Sequence, residues 1–217
     1  MLRLITIALV CGALLGGCAG TAAPNVDPAY RLSSKGLLVA SVTVSGYNPG
    51  TFSHQVVRTA APTQTVVTIP INDEANPLDW KLGDPLVRDG GYGRLAVVEL
   101  DPGDYELRRG IIRVSAQEAY VSSHALGYRF TIVPGKATYL GNVHVDIELS
   151  ADRRIRSSEA LLDRRSRDLP ILYRRYAGVQ QAQVVFPEDI RREALLRRSA
   201  DESPTKLEDL QGLLPRK

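Results

Sequence analysis

Apolar and polar residues alternate most clearly between Tyr139 and Leu149. One set of alternate positions is apolar apart from its glycine: Tyr139, Gly141, Val143, Val145, Ile147 and Leu149. The positions between them are mostly polar: Leu140, Asn142, His144, Asp146 and Glu148. Successive side chains of a strand point to opposite faces, so this period of two predicts a strand with one buried face and one face in water.

A turn precedes this strand at Val133-Pro134-Gly135-Lys136. Proline presets φ for the second position of a turn, and glycine tolerates positive φ at the third. Before the turn, Tyr128–Val133 also alternates, which predicts a hairpin of two strands. A hairpin cannot bury its apolar face alone, so earlier strands are expected to supply the opposing layer.

Earlier parts of the chain carry the same pattern. In Gly36–Ser45, the alternate residues Leu38, Ala40, Val42 and Val44 are apolar. A second Pro-Gly turn follows Leu100, and Gly110 is expected to mark a bend or bulge. Four further stretches are predicted strands: Ser53–Ala60, Gln64–Ile71, Leu95–Leu100 and Tyr105–Val114. About seven strands over residues 36–150 predict a mainly β fold, a single antiparallel β-sandwich of the immunoglobulin-like or prealbumin-like type.

The longest irregular stretch is Asn72–Gly93. Loops in compact domains usually have about four to six residues, and much longer ones are often functional or disordered. This loop contains the only tryptophan of the chain. We therefore regard Asp79, Trp80 and Tyr92 as candidate contacts for a ligand or a partner.

The chain changes character near residue 150. Residues 18–150 carry 11 basic and 13 acidic side chains, a net charge of −2, whereas residues 151–217 carry 15 and 11, a net of +4. Helices are predicted over Ser157–Arg167, from Asp168 to just before Gly178, and from Pro187 to Arg198, with a short strand in Val179–Phe186. Residues 151–198 are thus predicted to form an arginine-rich helical extension, and 199–217 a mobile tail.

Arginine pairs recur through this extension. Two interpretations stay open: exposed helix faces balanced by acids, or contact with an anionic surface such as lipid headgroups. The candidates for that contact are Arg153, Arg154, Arg164, Arg165, Arg174, Arg175, Arg191 and Arg192.

No catalytic residue, metal site or cofactor is predicted. His144, Asp146 and Glu148 share one strand face, but metal ligands must converge and such residues diverge along a strand. Ser122-Ser123-His124 lacks the strand–turn–helix setting of a serine nucleophile. Asp89–Gly93 lacks the setting of a phosphate-binding loop. We therefore expect a protein that is not an enzyme.

The N-terminus has a basic start, Met1-Leu2-Arg3, and an apolar run, Leu4–Leu15. It continues as Leu15-Gly16-Gly17-Cys18, which resembles the signal of bacterial lipoproteins. The resemblance implies that residues 1–17 are a cleaved signal and that Cys18 carries acyl chains such as palmitate. Residues 18–35 would be a tether, and Ala19 would favour the outer membrane. Loss of Cys11 with the signal would leave Cys18 as the only thiol.

The β-region carries a second resemblance, through Gly36–Ser45, the turn at residues 100–105 and Phe130 to Gly141. These residues are similar to uncharacterised bacterial lipoproteins with a transthyretin-like or carboxypeptidase-regulatory-like domain. The expected protein is a periplasm-facing, non-enzymatic lipoprotein of the outer membrane, a structural or protein-interaction module. Its expected partners are the membrane, through lipid on Cys18, and an envelope protein, but not nucleic acid. The alternative is a saccharide- or peptide-binding module that uses the 72–93 loop.

Overall fold

The computed structural model describes residues 26–47, 51–60, 66–70, 92–113, 118–121, 126–151, 154–180, 183–187, 194–202 and 205–206. This part of the chain is mainly β, as the alternation predicts. Its strands are β1 (Gly36–Gly46), β2 (Thr51–Arg58), β3 (Val66–Pro70), β4 (Tyr92–Leu100), β5 (Gly103–Arg113), β6 (Glu118–Val121), β7 (Tyr128–Ile132), β8 (Ala137–Leu149), β9 (Ile155–Leu162), β10 (Val184–Val185), β11 (Ala194–Glu202) and β12 (Thr205–Lys206). Its helix is α1 (Arg165–Arg175).

The strands form two sheets. Sheet 1 has the order β11-β9-β8-β1-β4, with β10 also paired to β8, and sheet 2 has the order β12-β6-β5-β2-β3, with β7 also paired to β5. All pairs of sheet 2 are antiparallel. In sheet 1, however, β1 and β10 run parallel to β8. The expectation of an entirely antiparallel fold is therefore wrong for sheet 1.

The turn at residues 133–136 forms as predicted, with Gly135 at φ 63° and the Lys136 amide donating to the Val133 carbonyl over 3.2 Å. It does not close a hairpin, because β7 pairs with β5 in sheet 2 while β8 lies in sheet 1. The chain instead arches from one sheet to the other. A hairpin would place both apolar faces on one side of a single sheet, whereas the arch turns them towards each other across a common core: Phe130, Ile132, Leu140 and Val143.

Two hydrophobic cores lie on the two faces of sheet 1. The inner core fills the space between the sheets and includes Val42, Val98, Val145, Phe52 and Leu107. The outer core lies under α1 on the opposite face of sheet 1. Its members are Leu37, Val39, Leu95, Val97, Ala137, Tyr139, Ile171, Leu172, Tyr176, Val179 and Val184. Sheet 1 is thus apolar on both faces where the helix covers it, as central layers are.

A β-bulge changes the facing of β8 part-way along the strand. Val39 pairs with Tyr139, but the next residue, Ala40, pairs with Gly141. Leu140 is therefore the extra residue, and Gly141 adopts a φ of 114°, a conformation that glycine tolerates. Tyr139 faces the outer core, while Leu140 faces the inner core.

Because of this bulge, the buried face of β8 differs in part from the predicted one. Beyond it, Val143, Val145 and Ile147 face the inner core as predicted. Leu140 and Asn142 were predicted to face water, yet they are only 0% and 1% exposed. Leu149 was predicted to be buried, and it is 41% exposed.

Residues 155–162 form a strand where a helix was predicted over Ser157–Arg167. β9 makes a hairpin with β8, closed by the Ser150 amide donating to the Arg154 carbonyl over 2.9 Å. The helix propensities of Glu159, Ala160 and Leu161 are overridden because Ile155 and Leu161 complete the inner core. The net charge of the chain therefore changes sign near residue 150, but this position lies within the β8–β9 hairpin.

The other C-terminal predictions also change. Ala194–Glu202 is a strand antiparallel to β9, so the helix predicted from Pro187 to Arg198 is wrong for residues 194–198, and β11 extends into the predicted tail. The predicted helix near Asp168 exists but begins three residues earlier, at Arg165, and ends before Gly178. Among the described residues of the predicted strand over Val179–Phe186, only Val184–Val185 is paired.

Candidate functional site

A polar ladder lies between β1 and β8 on the face of sheet 1 that bears α1. We define it as Thr43, Ser45, Asn142, His144 and Asp146. The Thr43 hydroxyl lies 3.1 Å from Asn142 Oδ1 and 2.8 Å from His144 Nδ1. The Ser45 hydroxyl lies 3.2 Å from His144 Nε2 and donates to Asp146 Oδ1 over 2.7 Å. The parallel register aligns Thr43 with His144 and Ser45 with Asp146, so each hydroxyl can bridge two β8 side chains.

The ladder joins two strands, and its geometry does not suit nucleophilic catalysis. A serine nucleophile must direct its proton towards the imidazole base. Ser45 directs its proton to Asp146 instead, and both ring nitrogens of His144 lie beside hydroxyl groups. Within the described ranges, no three His, Cys, Asp or Glu side chains are grouped so that they could hold a metal ion.

A buried carboxylate connects α1 to the same face of sheet 1. Asp168, in the first turn of α1, is 0% exposed. Its Oδ2 accepts hydrogen bonds from the hydroxyls of Ser41 (2.6 Å) and Tyr139 (2.7 Å), and its Oδ1 accepts one from Arg167 Nε (2.8 Å). Arg167 also donates to the Ser41 hydroxyl over 3.1 Å. The charge of Asp168 is therefore both paired and hydrogen-bonded, as a buried charge requires.

This network fixes the position of the helix. Burial, and then the adjacent Asp168 carboxylate, raise the pKa of the Tyr139 hydroxyl, which keeps it a donor. The sequence predicted Asp168 at the start of a helix. Its partners Ser41 and Tyr139 lie 127 and 29 positions away, so no local pattern could identify them.

A second buried polar pair joins the two sheets. His54 on β2 and Glu159 on β9 are 0% and 4% exposed, and His54 Nε2 lies 3.4 Å from Glu159 Oε2. Among the described residues, His54 Nδ1 and Glu159 Oε1 have no hydrogen-bond partner. The Phe52 ring packs edge-on against His54, with ring centres 4.8 Å apart. The sequence did not identify this pair, because His54 and Glu159 are 105 positions apart.

Gly110 provides the space for Glu159. A Cβ at this position would lie 2.6 Å from Glu159 Oε1 and 3.0 Å from the Phe52 ring. The register between β2 and β5 also shifts here, since His54 pairs with Gly110 and Val56 pairs with Leu107. The predicted irregularity at Gly110 is therefore confirmed, and the nearby carboxylate is the steric reason for a glycine at this position.

The predicted arginine contacts have different environments. Arg165 donates to both carboxylate oxygens of Asp163, over 3.0 and 2.9 Å, and lies 4.9 Å from the centre of the Phe186 ring. The hydrogen bond from Arg165 lowers the pKa of Asp163. Four others are exposed: Arg154, Arg164, Arg174 and Arg175. The described ranges exclude Arg153, Arg191 and Arg192.

Arg174 and Arg175 lie at the C-terminal end of α1, and Arg31 of the N-terminal segment lies nearby. Burial raises the pKa of the Tyr176 hydroxyl, whereas nearby Arg175 and Arg94 lower it. Arg31 lies against Gly178, where a Cβ would be 2.9 Å from its Nη1. The sequence identified Arg174 and Arg175 but not Arg31, because Arg31 comes from the distant N-terminal segment.

The other predicted site residues fall outside the described part of the chain. These are Cys18, Asp79 and Trp80. The Ser122-Ser123-His124 stretch, considered above as a possible serine nucleophile, also lies outside it. For Tyr92, the first residue of β4, only the backbone is described. No helix among the described residues has the length and apolar character needed to cross a membrane. Comparisons with protein-family models, with curated proteins and with solved structures found no match for this chain.

Proposed function

We propose that this chain is a non-enzymatic lipoprotein of the bacterial outer membrane, held by lipid on Cys18, whose periplasm-facing β-domain is a structural or protein-interaction module. This proposal rests on the hydrogen bonds that polar side chains of sheet 1 and α1 make with one another. Asp168, Ser41, Tyr139 and Arg167 bond to one another and hold α1 in place. Such a network stabilises a rigid surface, which suits a structural or protein-interaction module.

The anchor rests on Leu15-Gly16-Gly17-Cys18 and its resemblance to lipoprotein signals. A single acyl chain holds a protein only marginally, whereas two or more hold it stably. The transthyretin-like resemblance is supported by two packed sheets with a shared inner core. The parallel β1–β8 pair departs from that simple form.

The anchor is tested by labelling cells with radioactive palmitate and fractionating their membranes. Cys18→Ser should abolish the label and release the protein from the outer membrane or leave it unprocessed. Cys11→Ser is the matched control, because this cysteine lies within the removed signal, and it should keep both properties. A Cys18→Ser protein that still carries lipid in the outer membrane contradicts the proposal.

The interaction role is tested by photo-cross-linking in intact cells. A cross-linker at exposed Ser166 on α1 should capture a defined envelope protein. The same group at Thr131, on the outer face of sheet 2, is the control. Absence of any cross-linked partner, together with a change in Trp80 fluorescence on adding a soluble envelope saccharide, would favour the ligand-binding alternative.

A further inference from the structure

We propose that the N-terminal segment Val26–Lys35, which we call the strap, is a releasable part of the domain that gives the lipid tether two lengths. Docked on the domain, the strap keeps the tether short. Released by a pull on the tether, it lengthens the tether while the two sheets stay folded. The inference rests on the proposed function, because it assumes lipid on Cys18.

The first argument is that the strap is packed on the domain. Its side chains Val26, Tyr30 and Leu32 pack against the outer core. The Val26 amide donates to the Val97 carbonyl of β4 over 2.9 Å, and the Tyr30 hydroxyl donates to Glu99. Much of the segment expected to be a tether is therefore held against sheet 1.

The other end of the strap is fixed at the start of β1. The Gly135 amide donates to the Lys35 carbonyl over 2.8 Å. The Lys35 ammonium lies 3.4 Å from Asp101 and 3.5 Å from Glu99, but the Lys35 side chain is 49% exposed, so these ion pairs add little. The Tyr30 contact combines packing with a hydrogen bond, so its loss should weaken the docked strap most.

The second argument is the close fit between the strap and the residue just beyond α1. A Cβ at Gly178 would lie 2.2 Å from the Tyr30 carbonyl oxygen and 3.0 Å from Arg31 Cδ. Glycine therefore allows the strap to lie here, because it has no Cβ. One added methyl group at Gly178 should displace the strap.

The third argument is the way in which a pull loads each part of the chain. The strap precedes β1, so a pull on the tether reaches Val26 first and separates the strap contacts one after another. β1 is hydrogen-bonded to β4 on one edge and to β8 on the other, and a pull along its axis loads these bonds together. Proteins open locally at their ends at lower free energy than in their core strands. The strap should therefore separate while β1 stays in sheet 1.

Release more than doubles the reach of the tether. With the strap docked, Val26 follows Cys18 by eight positions (26 − 18), which span at most about 29 Å at about 3.6 Å per residue. With the strap released, Gly36 of β1 follows Cys18 by 18 positions (36 − 18), which span at most about 65 Å. The domain would then reach partners at two distances from the membrane.

The first test uses trypsin on the mature lipidated protein in phosphatidylcholine vesicles. Between Cys18 and Gly36, the lysine and arginine residues are Arg31 and Lys35, both in the strap. Trypsin cuts a chain that has separated from its surroundings, so the rate at which the domain leaves the vesicles reports the released fraction of the strap. The wild-type domain should be freed slowly, and mass spectrometry should find Leu32 or Gly36 as its new first residue.

Two variants loosen the strap from opposite sides. Tyr30→Ala removes its packing and its hydrogen bond, and Gly178→Ala places a methyl group against its backbone. Each should free the domain about tenfold faster. Tyr47→Ala is the matched control, because this half-buried tyrosine follows β1 and packs against the inner core, and it should leave the rate unchanged. A Tm measurement on each variant checks that the fold is intact.

The second test applies the pull directly with optical tweezers. One handle is attached to the Cys18 thiol of the mature chain without lipid, and the other to Leu149→Cys, an exposed position at the end of β8. β1 and β8 are parallel, so this geometry loads β1 along its axis. A reversible gain of at most about 36 Å should appear first, from the ten residues of the strap (36 − 26). A gain of up to about 400 Å should follow as residues 36–149 unfold.

The two proposals fail in different ways. A mature protein that does not float with the vesicles lacks its anchor, which refutes the proposed function and the two-length tether with it. A protein that floats, but is freed equally fast with and without Tyr30→Ala, or is never cut within the strap, refutes only the releasable strap. A single step to full unfolding in the tweezers does the same.

Discussion

Two buried carboxylates lie on opposite faces of sheet 1 and have contrasting surroundings. Asp168, on the outer side, accepts hydrogen bonds from two hydroxyls and a guanidinium. Glu159, on the inner side, meets only His54, over 3.4 Å, and its second oxygen has no partner among the described residues. The carboxylate on the outer side is therefore fully hydrogen-bonded, whereas the carboxylate on the inner side belongs to a weakly bonded polar pair within an apolar core.

The difference shows that burial alone does not define the role of an ionisable side chain. A fully bonded buried acid is costly to remove, because its donors are left without a partner. A poorly bonded pair can often be replaced by apolar residues at little cost. The two sites should therefore respond differently to substitution.

The largest effect is expected at Asp168. Asp168→Ala leaves the buried Tyr139 hydroxyl without an acceptor and Arg167, whose side chain is 15% exposed, without its acid, so the free energy of unfolding should fall by about 3–5 kcal/mol. Urea denaturation measures this loss. Asp163→Ala is the control, because its side chain and that of Arg165 are 20% and 34% exposed, and it should cost below about 1 kcal/mol. Equal losses would remove the distinction between a buried and a surface pair.

The next effect concerns the inner pair. His54→Leu leaves Glu159 without its only described partner and should cost about 2–3 kcal/mol. Adding Glu159→Met in the same chain should recover most of this loss, since an apolar pair of similar volume fits an apolar core. A double-mutant cycle measured by urea denaturation gives the coupling. Additive losses would mean that Glu159 stabilises the fold by itself.

A smaller effect is expected for Tyr139→Phe, which removes one donor to Asp168 and should cost about 1 kcal/mol at neutral pH. Burial, and then Asp168, raise the pKa of Tyr139 in the folded protein. Above about pH 10 the unfolded chain releases this proton while the folded chain keeps it. Stability is therefore complete below pH 10 and falls as the pH rises, by about 1.4 kcal/mol per pH unit for this group. The variant should lose that part of the slope in denaturation between pH 9 and 11, and an unchanged slope contradicts the assignment.

The smallest effect is expected at Ser45, which shares a strand face with Ser41. Ser41 is 0% exposed and bonds to Asp168, whereas Ser45 is half-buried at the outer end of the polar ladder. Ser41→Ala should cost about 1–2 kcal/mol, and Ser45→Ala below about 0.5 kcal/mol because water replaces the lost hydroxyl. Thermal unfolding of the two proteins checks the order, and a reversed order would place the stabilising end of the network at Asp146.

Local pattern predicted the strands well and their partners poorly. The predicted strands Gly36–Ser45 and Tyr128–Val133 correspond to β1 and β7, because alternation is a property of neighbouring residues. The choice of β5 as the partner of β7 depends on distant residues, so the predicted hairpin failed. The bulge at Leu140 likewise depends on the pairing with β1, and the glycine after it was the only sequence signal.

The candidate sites were predicted less well. The sequence identified His144 and Asp146 but not their partners Thr43 and Ser45, which lie about a hundred positions away. It treated Glu159 as a helix residue, because Glu, Ala and Leu favour helices when packing does not decide. Contacts between distant strands override such preferences, and a single sequence does not show them.

The parallel pairing of β1 with β8 also has a consequence for how the chain folds. Thr43 and Asn142 touch across this pair but are 99 positions apart, so a long loop must close before the centre of sheet 1 can form. Domains dominated by such distant contacts fold in milliseconds to seconds, more slowly than helical bundles. A chain that emerges from its amino end must expose the apolar residues of β1 until β8 arrives. A protein cut at residue 150 would lack β9 and α1, leaving Leu37 and Val39 uncovered, so we expect it to aggregate rather than fold.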